Sequence, residues 1–336
     1  MVVMTPQATQ AEIDAVVARL ETVPGVHARV MPGELTTAIG ALGDPEGVRA
    51  LALEGMPGVD QVIPISRPYK LASRELSHHA PTVVSVDGRS VGGVGTFCLI
   101  AGPCTVESRE QTLSVANAVK RGGAFKPRTS PFSFQGLGKP ALDILREARE
   151  ETGLPVVSEL TDPAHADAMA DAIDVIQVGA RNMQNYGLLE VVGKLGKPVL
   201  LKRGLSSTVD ELLMAADYIL KEGNENVMLC ERGIRTFETA YRFTLDLMAI
   251  PVLKEMTHLP VIVDPSHAAG RRSLVGPLSL AAAAAGADGI IVEVHPQPEE
   301  AICDGPQQLY ADQFAEYADQ VERAAAVAGK VLSNVV

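Results

Sequence analysis

From residue 97 onward the chain is divided by eight short apolar runs: "FCLIAG" at Phe97, "GAFKPRT" at Gly123, "PVVSEL" at Pro155, "DVIQVGA" at Asp174, "PVLLKRG" at Pro198, "NVMLCERG" at Asn226, "PVIVDPSH" at Pro260 and "GIIVEVHP" at Gly289. Runs that are apolar on both faces fit parallel strands buried on both sides. Amphipathic helical patterns separate them, and their starts lie roughly 20 to 33 residues apart, the length a repeated βα unit needs. An eight-stranded (β/α)8 TIM barrel over 97–330 closes such a set without leaving an edge. A doubly wound open sheet would carry a glycine-rich phosphate loop after its first strand, and "AGPCTVES" is not one.

The first 70 residues have a different rhythm. Thr9 and Glu12 form a capping box before Ile13, Val16, Val17 and Leu20, which recur on one helical face. Val26, Ala28 and Val30 then alternate with His27, Arg29 and Met31. Pro32-Gly33 turns the chain toward Leu35, Thr37 and Ile39. Asp44-Pro45 opens a second helix, and Val59 to Ile65 reads as a closing strand. The order predicts a ferredoxin-like βαββαβ domain over 1–70. Residues 71–96 read as a linker followed by a β-hairpin turning on Asp87-Gly88.

Composition narrows the partners. With 29 Lys and Arg against 41 Asp and Glu, the net charge of −12 disfavours nucleic acid and anionic membrane. The apolar helical stretch around Leu278 is far shorter than the ~20 residues that cross a bilayer. Four cysteines without paired spacing, and no signal peptide, predict a cytoplasmic protein without disulfides.

The C-terminal strand ends of a barrel build its active site, and here almost every run ends in a charge. Cys104, Lys126, Arg128, Thr129, Glu159, Arg181, Lys202, Arg232, His267 and Glu293 occupy these ends, with Asp304 just beyond. Arg121, Lys126, Arg128, Arg181, Lys202 and Arg232 on one rim would repel one another unless anionic ligands, phosphates or carboxylates, sat among them. Cys104, His267, Glu293 and Asp304 form a mixed donor set suited to a divalent first-row metal, although their spacing matches no local metal motif. Taken singly, Cys104 reads more readily as a small buried filler and His267 as a hydrogen-bonded loop residue. Lys202 reads as part of an anion clamp or, if burial lowered its pKa, as a Schiff-base lysine. Cys98 and Cys230 read as packing residues, and Cys303 carries no assigned role.

These residues, in the stretches "AGPCTVES", "RGGAFKPRTSPFSFQGLG", "QVGARNMQN", "PVLLKRG", "LCERGIRTFE", "PVIVDPSHAAGRR" and "GIIVEVHPQPEEAICDGPQQL", resemble the 3-deoxy-D-arabino-heptulosonate 7-phosphate (DAHP) synthases, in the subgroup with an N-terminal ferredoxin-like domain. The resemblance covers nearly the whole chain. It implies condensation of phosphoenolpyruvate with D-erythrose 4-phosphate, with release of phosphate, as the first step of the shikimate pathway. It also implies one divalent metal ion on Cys104, His267, Glu293 and Asp304, with Mn, Fe, Co and Zn all admissible.

Residue by residue, Arg181 and Arg232 are similar to the clamp on the phosphoenolpyruvate phosphate. Lys202 lies between that phosphate and the carboxylate, with Arg121 and Lys126 near the carboxylate. Arg128 and Thr129 resemble the erythrose 4-phosphate site, and Glu159 orients a basic neighbour or water. Lys126, Lys202 and His267 are the implied catalytic residues. The segment Lys126-Pro127-Arg128-Thr129 favours erythrose 4-phosphate over arabinose 5-phosphate, the substrate of the sister 3-deoxy-D-manno-octulosonate 8-phosphate synthases. A homo-oligomer, dimer or tetramer, is implied as well. In this subgroup the ferredoxin-like domain is similar to modules that bind aromatic amino acids; here Arg29 and Met31 stand where regulated relatives use polar groups, so an effector site and a plain packing role both stay open. A Schiff-base barrel aldolase and a non-catalytic anion-binding barrel are the alternatives from other classes.

Overall fold

The structure is a computed structural model and describes residues 1–33, 36–63, 68–74, 80–119 and 139–335. It divides into two compact units, Met1–Pro68 and Tyr69–Val336.

The first unit runs β1 (Val2–Met4), α1 (Gln10–Leu20), β2 (His27–Pro32), β3 (Thr37–Leu42), α2 (Pro45–Arg49) and β4 (Val59–Val62). Its antiparallel sheet has the order β2-β3-β1-β4, the ferredoxin-like arrangement. The Thr9 hydroxyl accepts from the Glu12 backbone N–H while the Glu12 carboxylate accepts from that of Thr9, so two orphan donors at the start of α1 are satisfied. Asp44 caps α2 by accepting from the Glu46 and Gly47 backbone N–H groups, with Pro45 in its first turn. Ile13, Val16 and Leu20 of α1 pack on Val2, Met4 and Ile39 of the sheet. The inward alternation of Val26 and Ala28 ends at Val30, which is exposed because β2 is an edge strand and the helices cover the sheet centre. Arg29 and Met31 are exposed too. Leu35 and Ile65 lie outside the described residues.

In the second unit β5 (Val83–Val86) and β6 (Arg89–Gly92) form a hairpin. Asp87 and Gly88 both take positive φ at its turn, as a two-residue hairpin loop requires. The barrel units follow: β7 (Thr96–Gly102), α3 (Arg109–Val119), α4 (Lys139–Thr152), β8 (Val157–Glu159), α5 (Ala166–Ala172), β9 (Val175–Val178), α6 (Tyr186–Lys194), β10 (Val199–Lys202), α7 (Val209–Lys221), β11 (Val227–Glu231), α8 (Ala249–Met256), β12 (Val261–Val263), α9 (Pro265–Ala269), α10 (Arg272–Ala284) and β13 (Gly289–His295). The strands pair in parallel, in the order β7-β13-β12-β11-β10-β9-β8, which is the (β/α)8 order. The run "GAFKPRT", expected between β7 and β8, lies outside the described residues.

Two strands were not expected. β14 (Leu309–Tyr310) pairs with β13. After α11 (Phe314–Val327), β15 (Val331–Val335) adds parallel to β7, so the chain continues past residue 330 into the sheet.

Two layers of core explain why the strands are apolar throughout. Phe97, Leu99, Ile176, Val199, Leu201, Val227, Leu229, Val261 and Val263 face the helices. Their neighbours Cys98, Ile100, Val157, Val175, Leu200, Met228, Cys230, Ile262 and Ile291 form a second cluster inside the barrel together with Val84, Val86 and Val91 of the hairpin. Most of these inner residues sit at strand beginnings, so the hairpin closes the barrel end opposite the strand termini. No helix among the described residues is long and apolar enough to cross a membrane.

Candidate active site

Strand residues alternate faces with period two, and this sorts the polar strand ends. Two residues beyond inward-facing Val157, Val175, Leu200, Cys230 and Ile291 stand Glu159, Gln177, Lys202, Arg232 and Glu293. Arg203 has the opposite parity. It turns away from the mouth and pairs with Glu231 at 2.8 Å and Asp246 at 2.9 Å. Burial pushes the Glu231 carboxyl upward against the pull of Arg203. Arg203 is therefore a buried structural cation, and Lys202 and Arg232 are the mouth's cations from these strands.

β12 delivers the histidine. Asp264 follows the strand and caps α9 by accepting from the His267 backbone N–H at 3.0 Å, with Pro265 in the first turn of the helix. The same carboxylate lies 2.6 Å from His267 Nδ1 and is paired with Lys202 Nζ. An imidazole donating Nδ1–H to a carboxylate presents its Nε2 lone pair, the orientation found in metal-ligating histidines.

That Nε2 lies 2.9 Å from Glu293 Oε1 and 3.7 Å from Asp304 Oδ2. Gln307 donates to the other Glu293 oxygen at 2.6 Å and fixes the carboxylate. Cys104 Sγ lies 3.8 Å from Asp304 Oδ2, so all four sequence-identified donors meet at one end of the barrel. His267, Glu293 and Asp304 offer ligand atoms within 4.8 Å of one another, as do Cys104, Cys303 and Asp304. Contact with Cys303, then burial, then the charges of Glu293 and Asp304 push the Cys104 thiol well above its ordinary range. Two carboxylates crowded with an imidazole and a thiol are mutually repulsive as anions. A divalent cation would offset that repulsion, and the donor set fits one.

Glu107 holds two loops together here. Its carboxylate accepts from the Ile302 backbone N–H at 2.9 Å and lies 3.4 Å from His295 Nε2. The loop after β7, which carries Cys104, is thereby tied to the loop carrying Cys303 and Asp304.

Beside the donors is a pocket whose lining includes Glu159, Arg181, Lys202, Arg232, Arg242, Phe243 and His267. Arg232 is buried, and its guanidinium stacks 4.6 Å from the centre of the Phe243 ring. Arg181 is exposed at the rim. Glu159 accepts from Gln177 at 3.0 Å and lies over Gly179, where a Cβ would collide with its carboxylate. Only glycine admits Glu159 in that position.

Arg121, Lys126, Pro127, Arg128 and Thr129 lie outside the described residues. Sequence reasoning missed Asp264, Glu107, Gln307 and Arg242. Asp264 carried a legible signal, an Asp-Pro helix start three residues before the histidine. Arg242 did not: it sits ten residues past Arg232 in an irregular loop, yet reaches Gln307 at 2.9 Å and Asp304 at 3.4 Å.

A parallel α/β barrel with a clustered metal-type donor set beside a cationic pocket at its strand ends defines a barrel enzyme for small anionic substrates. The chain belongs to the DAHP synthetase I family, which it matches over residues 81–328, and residues 1–67 match the DAHP synthase ferredoxin-like domain. It is 46% identical over 336 residues to a phospho-2-dehydro-3-deoxyheptonate aldolase of Thermotoga maritima, covering 98% of each chain. A crystal structure of the DAHP synthase of that organism superposes with a TM-score of 0.89 at 44% identity, over 99% of this chain and 98% of that one. A 2-dehydro-3-deoxyphosphooctonate aldolase of Syntrophotalea carbinolica is 33% identical over 258 residues, 69% of this chain and 92% of its own.

Proposed function

We propose that the chain condenses phosphoenolpyruvate with D-erythrose 4-phosphate and water to give 3-deoxy-D-arabino-heptulosonate 7-phosphate and inorganic phosphate. A divalent ion on Cys104, His267, Glu293 and Asp304 completes the site. The observation that carries this reading is the meeting of that donor set with Lys202 and Arg232 at one barrel mouth, in a member of this family.

The reaction joins C3 of the enol phosphate to the aldehyde carbon. Charge grows on the aldehyde oxygen while C2 becomes electrophilic, water adds there, and phosphate departs. A divalent ion in this donor set supplies a Lewis acid for the aldehyde oxygen. Arg232, fixed against Phe243, presents its guanidinium fork to the enol-phosphate group, with Arg181 closing from the rim. Lys202, held by Asp264, sets its ammonium between phosphate and carboxylate. Arg121 and Lys126 serve the carboxylate, and Lys126-Pro127-Arg128-Thr129 receives the aldose phosphate. These fixed charges spare the solvent reorganisation that free ions would need.

The ion pair of Lys202 with Asp264 speaks against a Schiff-base enzyme, which requires an uncharged amine. The octulosonate reading is weakened by the lower identity and shorter coverage of the phosphooctonate relative. The test is loss of phosphoenolpyruvate with erythrose 4-phosphate, before and after chelation. Activity should vanish with chelator and return with divalent ions, and arabinose 5-phosphate should be the poorer substrate. Preference for arabinose 5-phosphate would overturn the assignment, and chelator resistance would overturn the metal.

The reading extends to a cytoplasmic homo-oligomer, dimer or tetramer, whose N-terminal unit binds an aromatic amino acid. A truncated DAHP synthase of Thermotoga maritima, matching 79% of this chain with a TM-score of 0.74, supports treating the barrel as separable. Tyrosine or phenylalanine should inhibit the full chain and not a form starting near Lys70. Equal response of both forms would leave the unit a packing role.

A further inference from the structure

Two donor clusters share one residue. Asp304 belongs with His267 and Glu293 on one side and with Cys104 and Cys303 on the other. The second cluster contains a cysteine to which the proposed ligand set gives no role.

We propose that Cys303 is a second sulfur donor of the metal site, so that thiophilic divalent ions are held by both Cys104 and Cys303 with Asp304. The inference rests on the metal site proposed above and deepens it by specifying which ions it favours.

Distance is the first support. Two thiolates bound tetrahedrally to a zinc-sized ion at about 2.3 Å each stand about 3.8 Å apart. The Sγ atoms of Cys104 and Cys303 and an Asp304 carboxylate oxygen lie within 4.8 Å of one another, so side-chain adjustment alone brings them onto one ion.

The backbone around Cys303 is also fixed. Gln308 donates to the Cys303 carbonyl at 2.7 Å, Glu107 holds the Ile302 N–H at 2.9 Å, and Asp304 takes the left-handed conformation at φ 51°. Adjacent residues in this turn thus present a sulfur and a carboxylate to the same point.

Donor chemistry gives the consequence. One sulfur with an imidazole and two carboxylates discriminates weakly among divalent ions, whereas two sulfurs favour soft ions over hard ones. Cys303 therefore biases the site toward Cd2+ or Zn2+ without being needed for Mn2+.

The test uses the full chain, stripped of metal, and its Cys303→Ser and Cys104→Ser variants. Each is titrated with Cd2+ and with Mn2+ while thiolate-to-cadmium charge-transfer absorption is recorded. Wild type should show the absorption of two thiolates per cadmium. Cys303→Ser should show about half of it and bind Cd2+ about 10-fold or more weakly, with Mn2+ affinity unchanged. Unchanged Mn2+ binding also reports that the variant is folded.

Full absorption and affinity in Cys303→Ser, with both reduced in Cys104→Ser, would overturn the role of Cys303 and leave the four-ligand site standing. Absence of binding of either ion to wild type would overturn the metal site itself.

Discussion

Replacing His267 with alanine is expected to empty the metal site and lower the condensation rate on the order of 10³-fold, the size of several kcal/mol of lost charge stabilisation. The imidazole is buried, its Nε2 reaches toward Glu293 and Asp304, and Asp264 fixes its orientation. Among the described residues lining the pocket, the other nitrogen-bearing side chains are Lys202 and arginines, and none offers a nitrogen lone pair in its place. Metal content measured on the dialysed protein, beside steady-state rates, decides the matter. A His267→Ala protein that retained its ion and its rate would remove His267 from the ligand set.

The second large effect is expected at Asp264, where one carboxylate serves three purposes. It caps α9, orients His267 and balances Lys202. Asp264→Ala leaves a lysine ammonium in a site where both partners are almost fully buried, and breaking such a pair costs about 3–5 kcal/mol. Loss of the histidine's orienting partner weakens metal affinity by about 10–100-fold. Asp264→Asn keeps the shape and a hydrogen-bonding oxygen, so its stability loss should be smaller while metal affinity still falls. Denaturant unfolding of the metal-free proteins and direct ion titration measure the two effects separately. If both variants matched wild type in both measurements, the Lys202–Asp264–His267 chain would be incidental.

The same chain shows how far the sequence could be read. Lys202 and His267 stood out because each ends an apolar run, and a barrel brings run ends together. Asp264 was visible as a helix-start signal, but its second and third partners were not. A carboxylate's partners depend on which side chains meet it across strands, and β10 and β12 are separated in the sheet by β11. Arg203 is the converse case. Adjacent to Lys202 and equally charged, it reads as part of the same clamp until strand parity is known, and then it turns outward to Glu231 and Asp246.

By itself, the sequence determined the local and periodic properties of this protein. Capping residues placed α1 and α2, doubly apolar runs specified buried parallel strands, Asp87-Gly88 turned the hairpin, and the order of charged run ends identified the family. These follow from propensity and pattern, which act over a few residues at a time. Only the tertiary structure decided that β15 joins the sheet beside β7, that the hairpin's valines close the barrel floor, and that Glu107 ties the loops of Cys104 and Asp304 together. It also decided that Cys303 stands with Cys104 rather than apart from it. Those facts depend on distance across the fold, and side chains some 200 positions apart in the chain become neighbours only when the strands between them have been laid down in register.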